Sequence, residues 1–116
     1  MDIYRGELYY ANLGDNNSTS VQSGIRPVLI ISNDKGNKYS QTVIVAPLTS
    51  KIKRIDLPIH ISLTVDDENG LELNSVVLLE QLRTLDKSQI LHKIGKICSK
   101  DLEGINKALK ISLNLV

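Results

Sequence analysis

The chain has 116 residues, a formal net charge of +1 and 23% charged residues. That length suits one domain over residues 1–116, and the near-neutral charge means any nucleic-acid contact must rest on a local basic patch. With one cysteine, Cys98, no intrachain disulfide is possible, and neither a signal peptide nor a membrane-length apolar run is visible, so a soluble cytoplasmic protein with no membrane contact is expected.

There is no Trp or Phe, so the core must come from Leu, Ile and Val, a composition that favours strands. Residues 3–11 read as a first strand, with Gly6 marking a bulge or bend. Residues 12–24 are almost wholly polar and read as a mobile loop that leads to Arg26. Four aliphatics, Val28 to Ile31, lie between breakers and predict a second strand over 27–32, buried on both faces. Pro27 suits its first position, and a residue before proline is pushed into an extended conformation. Arg26 is therefore expected at the mouth of that strand, with Gly24 allowing close approach.

A turn-rich stretch follows, and residues 39–41 read as a short helical turn. Residues 42–49 give a third strand, in which Pro47 predicts an edge position or a bulge. Lys51, Lys53 and Arg54 form a basic connection. A fourth strand is read over 58–64, a turn over 66–70, a fifth strand over 75–80, a helical turn over 86–89 and a last strand over 92–98. From Ser99, read as an N-cap, the period changes: Leu102, Ile105, Leu109, Leu113 and Val116 recur at helical spacing. Short strands with one terminal helix predict a mainly β fold, a small twisted β-barrel.

If the second and third strands pair antiparallel about a turn near Asn37, Arg26 lies eleven residues before it and Thr49 twelve after. The pair then meets at one rim, which also receives the polar loop and the basic connection. A guanidinium can grip a phosphate bidentately, and a hydroxyl can donate to a phosphoryl oxygen. RNA brings its own nucleophile, the 2′-hydroxyl, so no metal-activated water is needed. Taken singly these residues are ordinary, a surface charge and a strand-forming threonine; their convergence is what points to chemistry.

Other polar residues read more plainly. His60 and His92 are assigned to structural or surface positions away from the Arg26 rim. Asp66-Asp67-Glu68 is followed by Asn69-Gly70, a turn signal that outweighs a metal site, and no cofactor is expected. Cys98 reads as a small apolar residue. The run Glu80-Gln81-Leu82-Arg83 fits either base contact through Gln81 and Arg83 or a salt-bridged strand end.

Four segments carry a resemblance: Arg5-Gly6-Glu7-Leu8-Tyr9, Gln22 to Ile30 with its Gly24-Ile25-Arg26-Pro27, Ile44-Val45-Ala46-Pro47-Leu48-Thr49, and Glu80-Gln81-Leu82-Arg83-Thr84-Leu85-Asp86. Nearly end to end, the chain resembles the MazF/PemK toxins of bacterial toxin–antitoxin systems. The resemblance implies an SH3-like β-barrel of the MazF/CcdB type with a C-terminal α-helix, a homodimer, and a sequence-specific, metal-independent endoribonuclease. Such an mRNA interferase cuts single-stranded RNA and is restrained by a MazE-like antitoxin. The family's catalytic pair falls on Arg26 and Thr49; candidate RNA contacts are Ser20, Gln22, Ser50, Lys51, Lys53, Arg54, Gln81 and Arg83. Val21 stands where relatives often carry Glu, so a proton shuttle at that position is not available to this chain. The competing readings are a CcdB-like toxin that binds DNA gyrase without enzymatic activity, and a plain SH3-like interaction module. The latter's aromatic peptide groove is hard to build without Trp or Phe.

Overall fold

In the computed structural model, residues 2–15, 20–51 and 56–115 are described. The elements run β1 (Glu7–Asn12), β2 (Ile25–Ile30), α1 (Asp34–Tyr39), β3 (Thr42–Thr49), β4 (His60–Leu63), β5 (Ser75–Leu78), β6 (Arg83–Asp86), β7 (Ile90–Lys96) and α2 (Ser99–Ser112), with a 3-10 turn at Lys87–Gln89 before β7. The strands form a sheet in the order β4-β5-β3-β2-β1-β7, and β6 branches off by pairing with β3.

Alternation along the central strands builds two apolar layers. Leu8, Leu29 and Ala46 stand opposite one another in register and share a cluster with Ile105, Ala108 and Leu109 of α2. Tyr9, Val28, Ile30 and Val45 belong to a second cluster with Val43, Leu85 and Ile90. Val28, Leu29 and Ile30 are fully buried, which is what a run of β-branched and aliphatic residues without polar alternation requires. Each such side chain contributes about 1.5–3 kcal/mol on leaving water.

The expected SH3-like barrel is not formed: the sheet stays open. β4 and β7 are its two edges, and among the described residues neither pairs with the other. The reason lies at β7. The 66–70 turn docks on its outer edge, where Lys96 N–H donates to the Glu68 carbonyl at 3.1 Å. A Cβ placed on Gly95 would lie 2.4 Å from that same oxygen, so turn backbone occupies the space a closing strand would need. The turn is itself rigid: Asp66 Oδ1 accepts from the Glu68 and Asn69 N–H groups, and the buried Asn69 side chain bonds Thr64 O, Asp66 N and Leu71 N. The Asp66 carboxylate is thus used inside the turn.

Three local readings change. Pro47 lies in a central strand, not at an edge or a bulge. On one flank β3 pairs with β2; on the other its first half pairs with β6 as far as Val45, and its end pairs with β5 from Leu48. Pro47 sits where the partner changes, so its missing N–H breaks no ladder bond. The helical turn read at 39–41 is instead α1, capped by Asn33, whose Oδ1 accepts from Gly36 N–H. The N-cap of α2 is Cys98 rather than Ser99, and it makes no side-chain capping bond. Leu113 lies beyond the end of α2 and is exposed, and Val116 lies outside the described residues. No described helix is long and apolar enough to cross a membrane.

One buried acid ties β1 to β7. Glu7 Oε1 accepts from Tyr4 N–H at 2.7 Å and Tyr9 O–H at 2.9 Å, and Oε2 meets Lys93 Nζ at 2.5 Å. Burial alone would raise the Glu7 pKa, but the Lys93 ammonium and the two hydrogen bonds outweigh it and hold the carboxyl below its usual range. Burial and the neighbouring Glu7 carboxylate push the Tyr9 phenol up. Because the native pKa of Glu7 is depressed, its stabilisation is complete above the unfolded-state pKa and is lost as pH falls through the native one. Glu7→Ala should therefore cost about 1–3 kcal/mol at neutral pH, from the buried donors left unpaired, and much less in acid. Urea unfolding of both proteins across that range measures it; an equal cost at every pH would contradict the assignment.

Candidate nucleic-acid interface

The β2–β3 ladder aligns Val28 with Pro47, Leu29 with Ala46 and Ile30 with Val45. Continuing that register by two residues brings Arg26 to the level of Thr49. Arg26 lies inside β2, facing Ala11 of β1, rather than ahead of the strand as the proline suggested. Pro27 is the third residue of β2 and lies opposite Tyr10.

Arg26 is half-buried, and its Nε donates to Ser23 O at 2.9 Å. Its two Nη atoms make no hydrogen bond among the described residues, so the fork that suits a phosphate is available. Thr49 is 9% exposed, and its Oγ1 accepts from Lys51 N–H at 3.1 Å. The hydroxyl proton remains to be donated. Beside them lies a pocket of about 170 Å³, with Arg26, Pro27, Tyr10, Leu48, Ser50 and Glu72 in its wall and the exposed Ile25 and Leu73 at its margin. Thr49 is not among the residues that line it.

The loop before Arg26 is tied at both described ends. Leu13 N–H donates to Gly24 O at 2.8 Å, and Gly24 N–H donates to Gly14 O at 2.9 Å. Gly24 has φ +76° with nothing within 4 Å of a would-be Cβ, so glycine serves a left-handed bend here and not a close approach. Gln81 Oε1 accepts from Gln22 N–H at 3.0 Å, while its Nε2 donates to Ser20 O at 3.1 Å. Arg83 Nη1 donates to Gln22 O at 3.4 Å and Nη2 to Leu13 O at 3.1 Å. Gln22 Oε1 is buried and has no partner among the described residues.

Of the residues singled out by sequence, Arg26 and Ser50 share the pocket, with Thr49 adjoining in the chain. Ser20, Gln22, Gln81 and Arg83 form a second, contiguous group around the loop. Lys51 is exposed beside Thr49; Lys53 and Arg54 lie outside the described residues. Sequence reasoning did not single out Tyr10, which lines the pocket and contacts His92. Their rings are 4.9 Å apart and tilted by 44°, and Tyr10 carries the pair into the pocket wall. Tyr10 pairs with both Pro27 and His92, a neighbourhood visible only once the order β2-β1-β7 is known. His60 is bound to Glu80 Oε2 at 2.7 Å. A wider pocket of about 520 Å³, between the N-terminal segment and α1, contains none of the predicted residues. Among the described residues, no three His, Cys, Asp or Glu side chains gather as metal ligands.

Residues 4–113 match the family described as PemK-like, MazF-like toxin of type II toxin–antitoxin system. The chain is 45% identical over 111 residues to a protein of Staphylococcus saprophyticus named endoribonuclease MazF, covering 96% of this chain and 91% of that one. It is 41% identical over 116 residues to endoribonuclease EndoA of Bacillus subtilis, covering 100% and 98%. A solved mycobacterial endoribonuclease in complex with its cognate antitoxin superposes with a TM-score of 0.81 at 25% identity, over 98% of this chain and 97% of that one.

Proposed function

The chain belongs to the PemK-like, MazF-like toxins of type II toxin–antitoxin systems, and on that footing we propose how it works as a sequence-specific, metal-independent endoribonuclease that cuts mRNA. The substrate is single-stranded RNA, and its 2′-hydroxyl is the nucleophile. The β2–β3 register carries this reading, because it sets a guanidinium and a hydroxyl at the same level of one rim. Arg26 grips the scissile phosphate through its two Nη atoms and neutralises the charge that builds as the 2′-oxygen attacks phosphorus. Thr49 donates its hydroxyl proton to a non-bridging oxygen. The 2′-hydroxyl gives up its proton to solvent water as its oxygen bonds to phosphorus, the bond to the 5′-oxygen breaks, and the departing oxygen takes a proton back from water.

Around that centre, Ser20, Gln22, Ser50 and Lys51 are the RNA contacts. Tyr10 offers a ring face against which an unstacked base can lie.

The inhibiting partner is a MazE-like antitoxin on the same groove. Ile25 and Leu73 are exposed at the pocket margin, beside Arg26. An unfolded peptide with acidic residues between aliphatic anchors matches that mixture, and a long interface offsets the cost of ordering it. The working form is a homodimer, in keeping with a short chain and its high surface-to-volume ratio.

Arg26→Ala and Thr49→Val should each slow RNA cleavage by roughly 10²–10³ while keeping the wild-type circular dichroism, the usual cost of a lost transition-state donor. Wild-type cleavage should persist in excess EDTA; dependence on added Mg2+ would contradict the mechanism. Sedimentation at micromolar concentration should show a dimer, and monomer alone would count against pairing. In a competition titration, antitoxin peptide should displace a non-cleavable RNA; simultaneous binding with unchanged affinities would exclude a shared groove.

A further inference from the structure

We propose that Gln81 and Arg83 are positioning residues: together they clamp the 20–24 segment and, through it, hold the Arg26 guanidinium in its working orientation. This rests on the reading of Arg26 as the phosphate-binding group.

The clamp is visible in how each polar atom is used. Both ends of the Gln81 amide engage loop backbone, Oε1 with Gln22 N–H and Nε2 with Ser20 O. That alternation imitates a neighbouring strand, supplied by one side chain about sixty residues along the chain from the loop. Arg83 closes the other side through Gln22 O and Leu13 O, joining the end of the loop to its beginning. The next carbonyl after Gln22, that of Ser23, accepts from Arg26 Nε. One peptide unit therefore separates the carbonyl held by Arg83 from the one that orients Arg26.

The two arginines use their donors in opposite ways. A guanidinium binds a phosphate through a fork of adjacent N–H groups. Arg83 spends both terminal nitrogens on two backbone carbonyls. Arg26 spends Nε on the loop, leaving its terminal nitrogens unbonded among the described residues. The same residue type thus serves as a brace in β6 and as an anion grip in β2. Because the brace acts through position, its loss should fall on turnover more than on affinity: a misplacement near 1 Å costs roughly 10²-fold in rate.

The variants are Arg83→Lys, which keeps the charge but cannot bridge two carbonyls as a planar fork, and Gln81→Glu, which keeps the shape but cannot donate to Ser20 O. Arg26→Ala and Arg83→Ala are run beside them. Three readouts are taken: kcat and KM for a short RNA, the salt dependence of binding to a non-cleavable RNA, and hydrogen exchange at the Gln22 amide. Both clamp variants should lower kcat about 10- to 100-fold, within the range that loss of positioning allows, with KM little changed and faster Gln22 exchange. Their slope of log affinity against log salt should match wild type, whereas Arg26→Ala should reduce it by about 1, the signature of one lost phosphate contact. Wild-type kcat in both clamp variants, with Arg26→Ala impaired, overturns the clamp and leaves the site standing. A slope reduced by about 1 in Arg83→Ala also overturns it, making Arg83 a direct phosphate ligand. Wild-type cleavage by Arg26→Ala overturns instead the site on which the clamp rests.

Discussion

Antiparallel pairing of β2 with β3, with Val28 opposite Pro47, sets Arg26 and Thr49 at one level of the rim. A slip of one residue would exchange the faces of Val28, Leu29 and Ile30 and move each side chain into the layer built for its neighbours. Both faces of these strands carry apolar layers, so a slipped register would disrupt two cores. Arg26 and Thr49 are carried on the ends of strands that are strongly specified, and this is what a charge aimed at a phosphate needs.

The opposite flank of β3 adds a second constraint. β6 takes the first half of that strand and β5 the last residues, so the turn joining β5 to β6 lies beside the gap at Pro47. Gln81 belongs to that turn and Arg83 begins β6, which brings both to the loop ahead of Arg26. A proline at the change of partner, a branched strand and a braced loop are thus parts of one arrangement. Further off, the Glu7–Lys93 pair fastens β7 to β1, and β1 supplies the Tyr10 wall of the pocket.

Much of this was legible in the residues. The unbroken aliphatic run Val28 to Ile31 announced a doubly buried strand, though β2 starts at Ile25 and stops at Ile30, and counting outward from Asn37 brought Arg26 to within a residue of Thr49. What was not legible depends on distant contacts. β6 has four residues and one buried apolar side chain, Leu85, too few to show a period. Whether the sheet closes depends on what covers β7, and the turn that covers it lies about 25 residues earlier in the chain. Gln81 and Arg83 fit either RNA contact or a strand-end role by sequence, because a sequence shows donors without showing the loop backbone that they bond. The resemblance to MazF/PemK toxins named the family correctly, but the barrel it implied is an open, branched sheet in this chain.

The most direct test is a crystal structure of the protein with an RNA carrying a single 2′-deoxy nucleotide on the 5′ side of the cut. That substrate lacks the nucleophile but keeps the phosphate. The account predicts one phosphate within hydrogen-bond distance of both the Arg26 Nη atoms and the Thr49 hydroxyl, with Arg83 still on the carbonyls of Leu13 and Gln22. A scissile phosphate bound elsewhere, as in the pocket beside α1, with Arg26 and Thr49 contacting no phosphate, would contradict it.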